Sequence, residues 1–345
     1  MQKKLTLLWQ LDSNHQDWIR EIFASVIGSE VNDGEHRIVL DDCLLVDTHL
    51  HRVDPAYYQS FRGRNAFLIR EPDELFRDVS GNVYLNFCGV FRMHYSGVFR
   101  TERVMHLPLG YTEGLGSQGT PKPASRRKYL WTMLGQINKS TRPDALEALL
   151  SIEPNFWYAS DGWKPGSRTT FASVADYKST EEYREFLAES MFVPSPMGNV
   201  QQETNRPFEA LESGAIPLLE KRWLMDVHSS LLGPHPLPTF SNWKQAADFV
   251  RHWIAGPQRL DGLQAECLTW WSRYKCHLSR EVEAFIDRLW ANSPTNKREF
   301  VRWYGRLPGW AFMELVRHHS RSALRRRIAR QVGRVFRRGQ FSERM

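Results

Sequence analysis

Short apolar runs alternate with amphipathic stretches over the first 110 residues of the chain. Residues 4–9 form an apolar run typical of a strand, and residues 14–26 place apolar side chains at helical spacing after Asn14, a candidate helix cap. A helical stretch opens at Asp54-Pro55, and further strands are predicted at 37–40, 44–46, 66–69, 83–87 and 103–107. Strands separated by helical segments indicate a parallel, doubly wound sheet.

The second half repeats this alternation after a stretch rich in Gly, Ser and Pro at residues 112–125, the best candidate linker. Strands are predicted at 128–134 and 156–158, and helices from Asp144, at 181–189 and at 261–291. The predicted fold class is therefore α/β, with two Rossmann-like domains facing a deep interdomain cleft. We place the domains at residues 1–118 and 119–300, followed by a helical, basic tail at 301–345.

Composition supports packed domains. The chain has 345 residues, 41% of them hydrophobic, and 13 are Trp, which argues against disorder. Four cysteines without C-x-x-C spacing predict buried thiols rather than a disulfide framework or a zinc site. No window approaches the ~18 apolar residues that a membrane span needs. We expect a cytoplasmic protein without a cofactor or metal.

The basic charge is concentrated at the C-terminal end. The net charge is +7, but the residues after Leu315 include ten Arg and one acid, so the rest of the chain carries −2. Apolar residues recur at helical spacing among these arginines, which predicts a basic amphipathic C-terminal helix bound to an anionic membrane, peripherally at its inner face. Nucleic-acid binding and a plain solvated helix remain alternatives, although no nucleic acid is expected as a partner.

Residues 192–219 form the most informative segment, which reads as strand, Gly loop, short helix and strand. Pro194 and Pro196 are expected to end the pairing of the first strand. Thr204 or Asn205 can cap the helix, and Gly214 can adopt the left-handed turn that closes it.

The chemistry of this segment suits a nucleoside diphosphate. Unpaired N–H groups at a helix start, after a loop containing Ser195 and Gly198, can bind phosphate, and Arg206 adds a bidentate donor. Glu209 lies one turn beyond Asn205 and Arg206, so its carboxylate can accept hydrogen bonds from two ribose hydroxyls. The alternative is an ordinary junction between a helix and a strand.

A second Gly loop follows the first strand of the second domain. Gly135 would let the backbone approach a phosphate, and Asn138, Lys139 and Arg142 can supply donors. The loop lacks the second Gly and the Gly-Lys-(Ser/Thr) end of a P-loop. A solvated loop capped by its own hydroxyl groups is the alternative.

Candidate proton acceptors come from the first half. Asp73 and Glu74 follow a strand, where ligands bind in open α/β sheets, and either could take the proton of an acceptor hydroxyl. Weaker candidates for the proton acceptor are the cluster of Asp47, His49 and His51, and also His94. The pair of histidines lacks an obvious third ligand, so no metal site is expected.

These motifs resemble the exostosin-like and ribitol-xylosyltransferase-like GT-B glycosyltransferases. The matching parts of the second half are Pro196-Met-Gly198, Arg206-Pro-Phe-Glu209-Ala210 and Gly214-Ala-Ile-Pro217. Met197 stands where this group often carries a basic residue. The first half matches in an ordered series: a strand ending in Asp-Glu at residues 68–74, a strand with a downstream Arg at 86–92, and a Pro-Leu-Gly-Tyr segment at 107–111.

The resemblance implies inverting transfer of a hexose or pentose from a nucleotide sugar, with UDP as the leading nucleotide. The implied acceptor is a cell-surface polysaccharide or a lipid-linked glycan, and Glu74 or Asp73 would be the base. Gly135, Gly198, Arg206 and their neighbours would hold the diphosphate without a metal. A non-catalytic nucleotide-binding scaffold and a basic-tailed nucleic-acid-binding protein are the competing classes.

Overall fold

A computed structural model describes most of the first 301 residues. The described ranges are 4–10, 13–34, 37–48, 55–72, 82–96, 99, 101–117, 119–160, 178–198, 201–222 and 226–301. Asp73, Glu74, His49, His51 and the basic tail lie outside them. Among the described residues, none of the helices combines the length and apolarity that crossing a bilayer requires.

The first half is built on a parallel sheet with the strand order β2-β1-β3-β4-β5-β6. Its strands are β1 (Leu5–Trp9), β2 (Ile27–Asn32), β3 (Cys43–Asp47), β4 (Ala66–Arg70), β5 (Gly89–Arg92) and β6 (Val104–His106). The helices are α1 (Gln16–Phe23) and the short α2 (Pro55–Gln59). Strands β3 and β4 are buried along their whole length, as expected of central strands covered on both faces.

The strand expectations for the first half fail at three places. Residues 37–40 are not in a strand, because the Ile38 N–H donates to Asp33 and the Ile38 carbonyl oxygen accepts from the Tyr57 hydroxyl. Residues 83–87 do not form a strand, because Tyr84–Asn86 is a 3₁₀ turn and the strand begins at Gly89. Strand β2 was not expected because it is an edge strand whose residues 28–30 are exposed, so its sequence carries no apolar run. Tyr84 and Phe87 are buried in the core although they lie in or next to a turn, so their apolar pattern resembles that of a strand. An exposed edge strand does not require a run of apolar residues.

The second half contains another parallel sheet, with the order β11-β10-β9-β7-β8. Its strands are β7 (Tyr129–Gly135), β8 (Asn155–Ala159), β9 (Ser190–Ser195), β10 (Ile216–Glu220) and β11 (Thr239–Phe240). The helices are α3 (Arg142–Leu149), α4 (Thr180–Ala188), α5 (Arg206–Glu212), α6 (Val227–Leu232), α7 (Trp243–Ile254) and α8 (Pro257–Leu289). Two parallel sheets with intervening helices confirm the α/β class.

Strand β9 continues through Pro194, contrary to the expectation that this residue ends the pairing. Pro194 lies opposite Leu218 of β10, and the strand runs on to Ser195. On its other side, β9 pairs with β7 only as far as Phe192. The missing N–H of Pro194 is tolerated because the ladder on that side has already ended.

The long helix α8 packs against both sheets. It contacts α1 and β5 of the first half and α5 and β10 of the second. The Trp271 ring on α8 stacks on Trp18 of α1 at a centroid distance of 5.7 Å and on Phe208 of α5 at 5.5 Å. One apolar cluster therefore joins the two halves. Large aromatic side chains contribute most of such a core because each buries a large apolar area.

Candidate functional site

A cavity of about 350 Å³ is lined by residues from both halves of the molecule. Within the sheets, β1 lies between β2 and β3, and β7 lies between β8 and β9, so the chain reverses its direction of winding after β1 and after β7. Open α/β sheets bind ligands outside the carboxyl ends of the strands at such switch points. The lining residues are His15, His94 and Leu109 from the first half and Arg142, Tyr183, Gly198, Glu203, Thr204, Asn205, Arg206 and Glu209 from the second.

Arg206 is the first residue of α5 and its side chain is buried, with 8% exposed. Its Nη2 donates to the carbonyl oxygen of Leu134 at 2.8 Å. Its Nε and Nη1 are buried without a hydrogen-bond partner among the described residues. Gly135 lies beside this nitrogen: its φ of +112° favours glycine, and a Cβ there would be at ordinary contact distance, 3.5 Å from Nη2. The guanidinium is thus held at one nitrogen and unsatisfied at two.

Glu209 lies on the same helix and is hydrogen-bonded from two sides. Its Oε1 accepts from the Thr112 hydroxyl at 2.8 Å, and its Oε2 accepts from the Tyr183 hydroxyl at 2.9 Å. Burial raises the pKa of the Tyr183 phenol, the charge of Glu209 raises it further, and Arg206 lowers it. The phenol therefore remains a proton donor, and each carboxylate oxygen keeps a lone pair for another donor.

Arg142 ties the two Gly loops together. Its Nη1 donates to the carbonyl oxygen of Gln136 at 2.8 Å, and its Nε to that of Met197 at 3.4 Å. The Gly198 N–H closes the second loop by donating to the carbonyl oxygen of Gln201 at 2.8 Å. Arg142 thus fixes the shape of the cavity wall as well as lining it.

The other predicted donor residues lie in different surroundings. The buried Ser195 hydroxyl donates to the carbonyl oxygen of Val193 at 3.2 Å, within its own strand. Asn138 is exposed and Lys139 half-buried in the loop after Gly135, and neither lines the cavity. Asn205 lines the cavity at the N-terminal boundary of α5, but its side chain makes no capping hydrogen bond because its backbone is already helical.

His15 reaches the cavity from the first half and was not recognised as a candidate from the sequence. It lies in the turn between β1 and α1, where the backbone N–H donates to the Ser13 hydroxyl at 3.0 Å. Burial lowers the pKa of the His15 ring. A hydrogen bond with the Tyr111 backbone and the charge of Glu209 raise it, but the effect of burial is larger. Its Nδ1 has no partner in the described part of the chain. The signal that could have revealed it is its place directly after the first strand.

His94 follows β5 and has a left-handed backbone, with φ of +55°. Burial lowers the pKa of its ring to about 3, and the charges of Arg92 and His15 add to the effect. Non-glycine residues in this region are strained by ~1–3 kcal/mol, and such residues cluster at functional sites. The structure therefore brings one of the weaker sequence candidates into the cavity as a neutral imidazole.

Glu203 is a second residue that the sequence interpretation missed. Its carboxylate is 1% exposed and accepts the N–H groups of Tyr95 at 2.9 Å and Leu109 at 2.7 Å. Burial raises the pKa of this carboxyl to about 7, whereas the two N–H groups and the charge of Arg92 lower it. No local motif identifies this residue because both of its partners lie in the first half.

Asp47 has a structural role rather than a place in the cavity. Its buried carboxylate accepts from the Tyr58 hydroxyl at 2.9 Å and lies 4.0 Å from Nη1 of Arg70. The part of the chain described here contains no group of three or more His, Cys, Asp or Glu side chains suited to a metal ion.

A smaller cavity of about 220 Å³ adjoins the first one and shares Tyr183 with it. Its wall includes Gly135 and Leu134 from the end of β7 and Thr112 from the connection between the sheets. The two cavities meet at Tyr183, whose hydroxyl donates to Glu209.

Comparison with known proteins identifies only distant structural relatives. No protein-family model matches this sequence, and no curated protein matches it. Among solved structures, T4 phage BGT in complex with UDP and Mn²⁺ has a TM-score of 0.48 and 11% identity, over 82% of this chain and 99% of that chain. The Anabaena protein HepE in complex with UDP has a TM-score of 0.45 and 10% identity, over 83% of this chain and 100% of that chain. The glycosyltransferase SnogD from Streptomyces nogalater has a TM-score of 0.40 and 10% identity, with coverage of 83% and 100%. Similarity at this level does not by itself assign a function.

Proposed function

We propose that this chain is a glycosyltransferase of the GT-B kind that moves a sugar from a nucleotide-sugar donor to an acceptor hydroxyl. One observation carries the proposal: a single cavity combines a buried, partly unsatisfied arginine from one α/β half with neutral histidines from the other. The cavity volume of about 350 Å³ lies within the range of small-molecule sites.

The second half provides the donor side. Arg206 offers two guanidinium nitrogens that lack partners among the described residues, and a diphosphate can accept hydrogen bonds from both. The Gly135 and Gly198 loops allow the backbone to approach the phosphates closely. In a buried site, the fixed positive charge of Arg206 stabilises the charge that develops on the leaving nucleoside diphosphate. The nucleotide sugar is a co-substrate, so no separate cofactor is needed for this chemistry.

Glu209 is suited to the ribose of that nucleotide. Its two oxygens are oriented by Thr112 and Tyr183, and each retains a lone pair for a ribose hydroxyl. UDP is the proposed nucleotide, on the strength of the sequence motifs.

The first half provides the proton acceptor, and we assign that role to His15. Burial keeps its imidazole neutral, the form that can accept a proton. In the proposed step, the acceptor oxygen attacks the anomeric carbon and its proton passes to Nδ1 of His15. The bond between the anomeric carbon and the phosphate oxygen breaks, and the nucleoside diphosphate leaves with the bonding electrons. Such a direct displacement inverts the configuration. Asp73 and Glu74 remain candidates for the base outside the described residues.

The identity of the acceptor is proposed from the sequence motifs. The exostosin-like and ribitol-xylosyltransferase-like pattern favours a cell-surface polysaccharide or a lipid-linked glycan, and a hexose or pentose as the transferred group. The arginine-rich residues 317–338 would hold the enzyme at the anionic inner face of a membrane.

Ligand screening by thermal shift tests the proposal. UDP, GDP, CMP and their sugars are added to the purified chain, and the nucleotide that binds should raise the melting temperature in proportion to its concentration over its Kd. The stabilising nucleotide sugar is then assayed for release of the nucleoside diphosphate. Absence of stabilisation by every nucleotide would refute the donor site. Binding without any release or transfer would favour the non-catalytic scaffold.

A further inference from the structure

Glu203 connects the two sides of the cavity through its buried carboxylate. We propose that Glu203 is a positioning residue that aligns the donor-binding loop of the second half with the histidine-bearing edge of the first half. This inference rests on the proposed function, because it assigns Arg206 to the donor and the histidines to the acceptor side.

The two hydrogen bonds that the Glu203 carboxylate accepts from described residues both cross between the halves. Oε2 accepts the N–H of Tyr95 after β5, and Oε1 accepts the N–H of Leu109 after β6, at 2.9 and 2.7 Å. Both oxygens of one carboxylate are therefore used by backbone groups of the first half. Because backbone N–H groups cannot rotate independently of their peptide planes, this arrangement fixes direction as well as distance.

The two ends of this connection lie next to residues that line the cavity. Tyr95 directly follows His94, whose left-handed backbone is strained, and the bond from Glu203 fixes the peptide plane between them. Glu203 itself lies three residues before Arg206, in the loop that precedes α5. One carboxylate thus sets the position of the His94 imidazole relative to the Arg206 guanidinium. Shifts of about 1 Å in such a pair are enough to lower rates ~10²-fold.

Burial of an acid at this point is costly and therefore calls for a specific role. Replacing buried charged groups by apolar side chains of similar size is often neutral or stabilising. Against the effect of burial, the charge of Arg92 on β5 lowers the pKa of Glu203. Burial raises the pKa of Tyr274 on α8, and the charge of Glu203 raises it further. His15 and His94 line the same cavity. The ionised carboxylate accepts both N–H groups more strongly than the protonated form, in which one oxygen carries the proton and is a weaker acceptor.

Glu203→Gln tests the role with little change in size. The amide oxygen can accept one N–H, but the amide NH₂ must face the other. The KM for the donor is expected to rise about tenfold or more, as for loss of one hydrogen bond to a charged group. The wild-type activity should fall as the pH drops through about 7, since burial raises the pKa of the Glu203 carboxyl to about 7. That component of the pH profile should be absent in the variant.

Glu212→Gln is the matched control. Glu212 is also a buried carboxylate of this region, but it accepts from Trp271 and Lys275, each at 2.7 Å, and does not line the cavity. Its substitution should alter stability without changing the KM or the acid side of the pH profile. If Glu203→Gln also left both quantities unchanged, the positioning role would be overturned.

Amide hydrogen exchange without nucleotide separates this inference from the proposed function. Protection of the Tyr95 and Leu109 amides should fall selectively in Glu203→Gln, and in the wild-type protein as the pH is lowered from 8 to 5.5. Such a fall in a protein that binds no nucleotide would support the connection and refute the donor site. Unchanged protection in the wild-type protein over this range would refute the connection, even if the variant did not fold.

Discussion

Replacing Arg206 with methionine is expected to separate donor binding from stability. Methionine retains most of the length of the side chain and removes the guanidinium. Because the guanidinium donates to Leu134 through Nη2 and leaves Nε and Nη1 without partners among the described residues, the folded protein gains little from its charge.

The magnitudes follow from these three nitrogens. Loss of the bond to the Leu134 oxygen costs roughly 1.5–3 kcal/mol, and relief of each unsatisfied buried donor returns about 1–3 kcal/mol. The sum lies between a loss of about 1 kcal/mol and a gain of about 4.5 kcal/mol in the free energy of unfolding, so the substitution should not lower stability by more than about 1 kcal/mol. In the complex, two charge-assisted bonds to the diphosphate are lost, each worth ~1.5–3 kcal/mol. The Kd for the nucleotide should rise by about 10² to 10⁴-fold.

Arg127→Met is the matched control and should change stability but not nucleotide binding. The Arg127 side chain is also buried, but all three of its nitrogens donate to backbone carbonyl oxygens. Its substitution should lower the free energy of unfolding by roughly 3–5 kcal/mol and leave the Kd unchanged. The acceptors are Lys122 at 3.0 Å, Leu187 at 3.3 Å, Ser190 at 2.9 Å and Ser213 at 3.0 Å.

Urea denaturation and titration calorimetry with UDP, both at pH 7.5, measure the two quantities for each variant. A large loss of stability in Arg206→Met together with a wild-type Kd would show that Arg206 is a structural residue. The donor assignment would then be wrong.

Three further predictions concern other groups of the site and core. His15→Gln should lower kcat by about 10² to 10⁴-fold and leave the Kd for UDP unchanged, so an unaltered kcat would exclude His15 as the base. Glu209→Gln should remove the preference for UDP over 2′-deoxy-UDP, measured by calorimetry, whereas a retained preference would place the ribose elsewhere. The difference in unfolding free energy between wild type and Glu203→Gln should shift in favour of wild type as the pH falls from about 7 to about 4.5. Burial raises the pKa of the Glu203 carboxyl to about 7, so over this range the folded state keeps a proton that the unfolded chain has lost. A difference that does not vary with pH would contradict the shifted pKa.

Elements with local causes were predicted well. Helix α5 and strand β10 lie where the sequence placed them, and Gly214 has the expected left-handed φ of +75° between them. Capping and pairing details were predicted less well, because they depend on neighbours. Asn205 does not cap α5, and Pro194 stays within its strand because β7 no longer pairs there.

The candidate site shows the same division. Arg206 and Glu209 lie close together in sequence, so their spacing on one helix identified them before their surroundings were known. Glu203 meets its partners in distant parts of the chain, and no spacing rule could find it. The local signal for His15 is its place in the turn that follows the first strand. Ser195 was a candidate because of its place in the sequence, but its hydroxyl donates to the Val193 carbonyl oxygen within the same strand.

The order of apolar and polar residues determined the parallel α/β architecture and the strand–loop–helix–strand segment that carries Arg206 and Glu209, because strand and helix periodicity and turn residues act over a few positions. The tertiary structure decided which groups meet in the cavity, which buried nitrogens lack partners among the described residues, and which carboxyl and imidazole groups have shifted pKa values. Those properties depend on desolvation and on charges from segments far apart in sequence, and such contacts exist only after the two sheets and α8 have packed together.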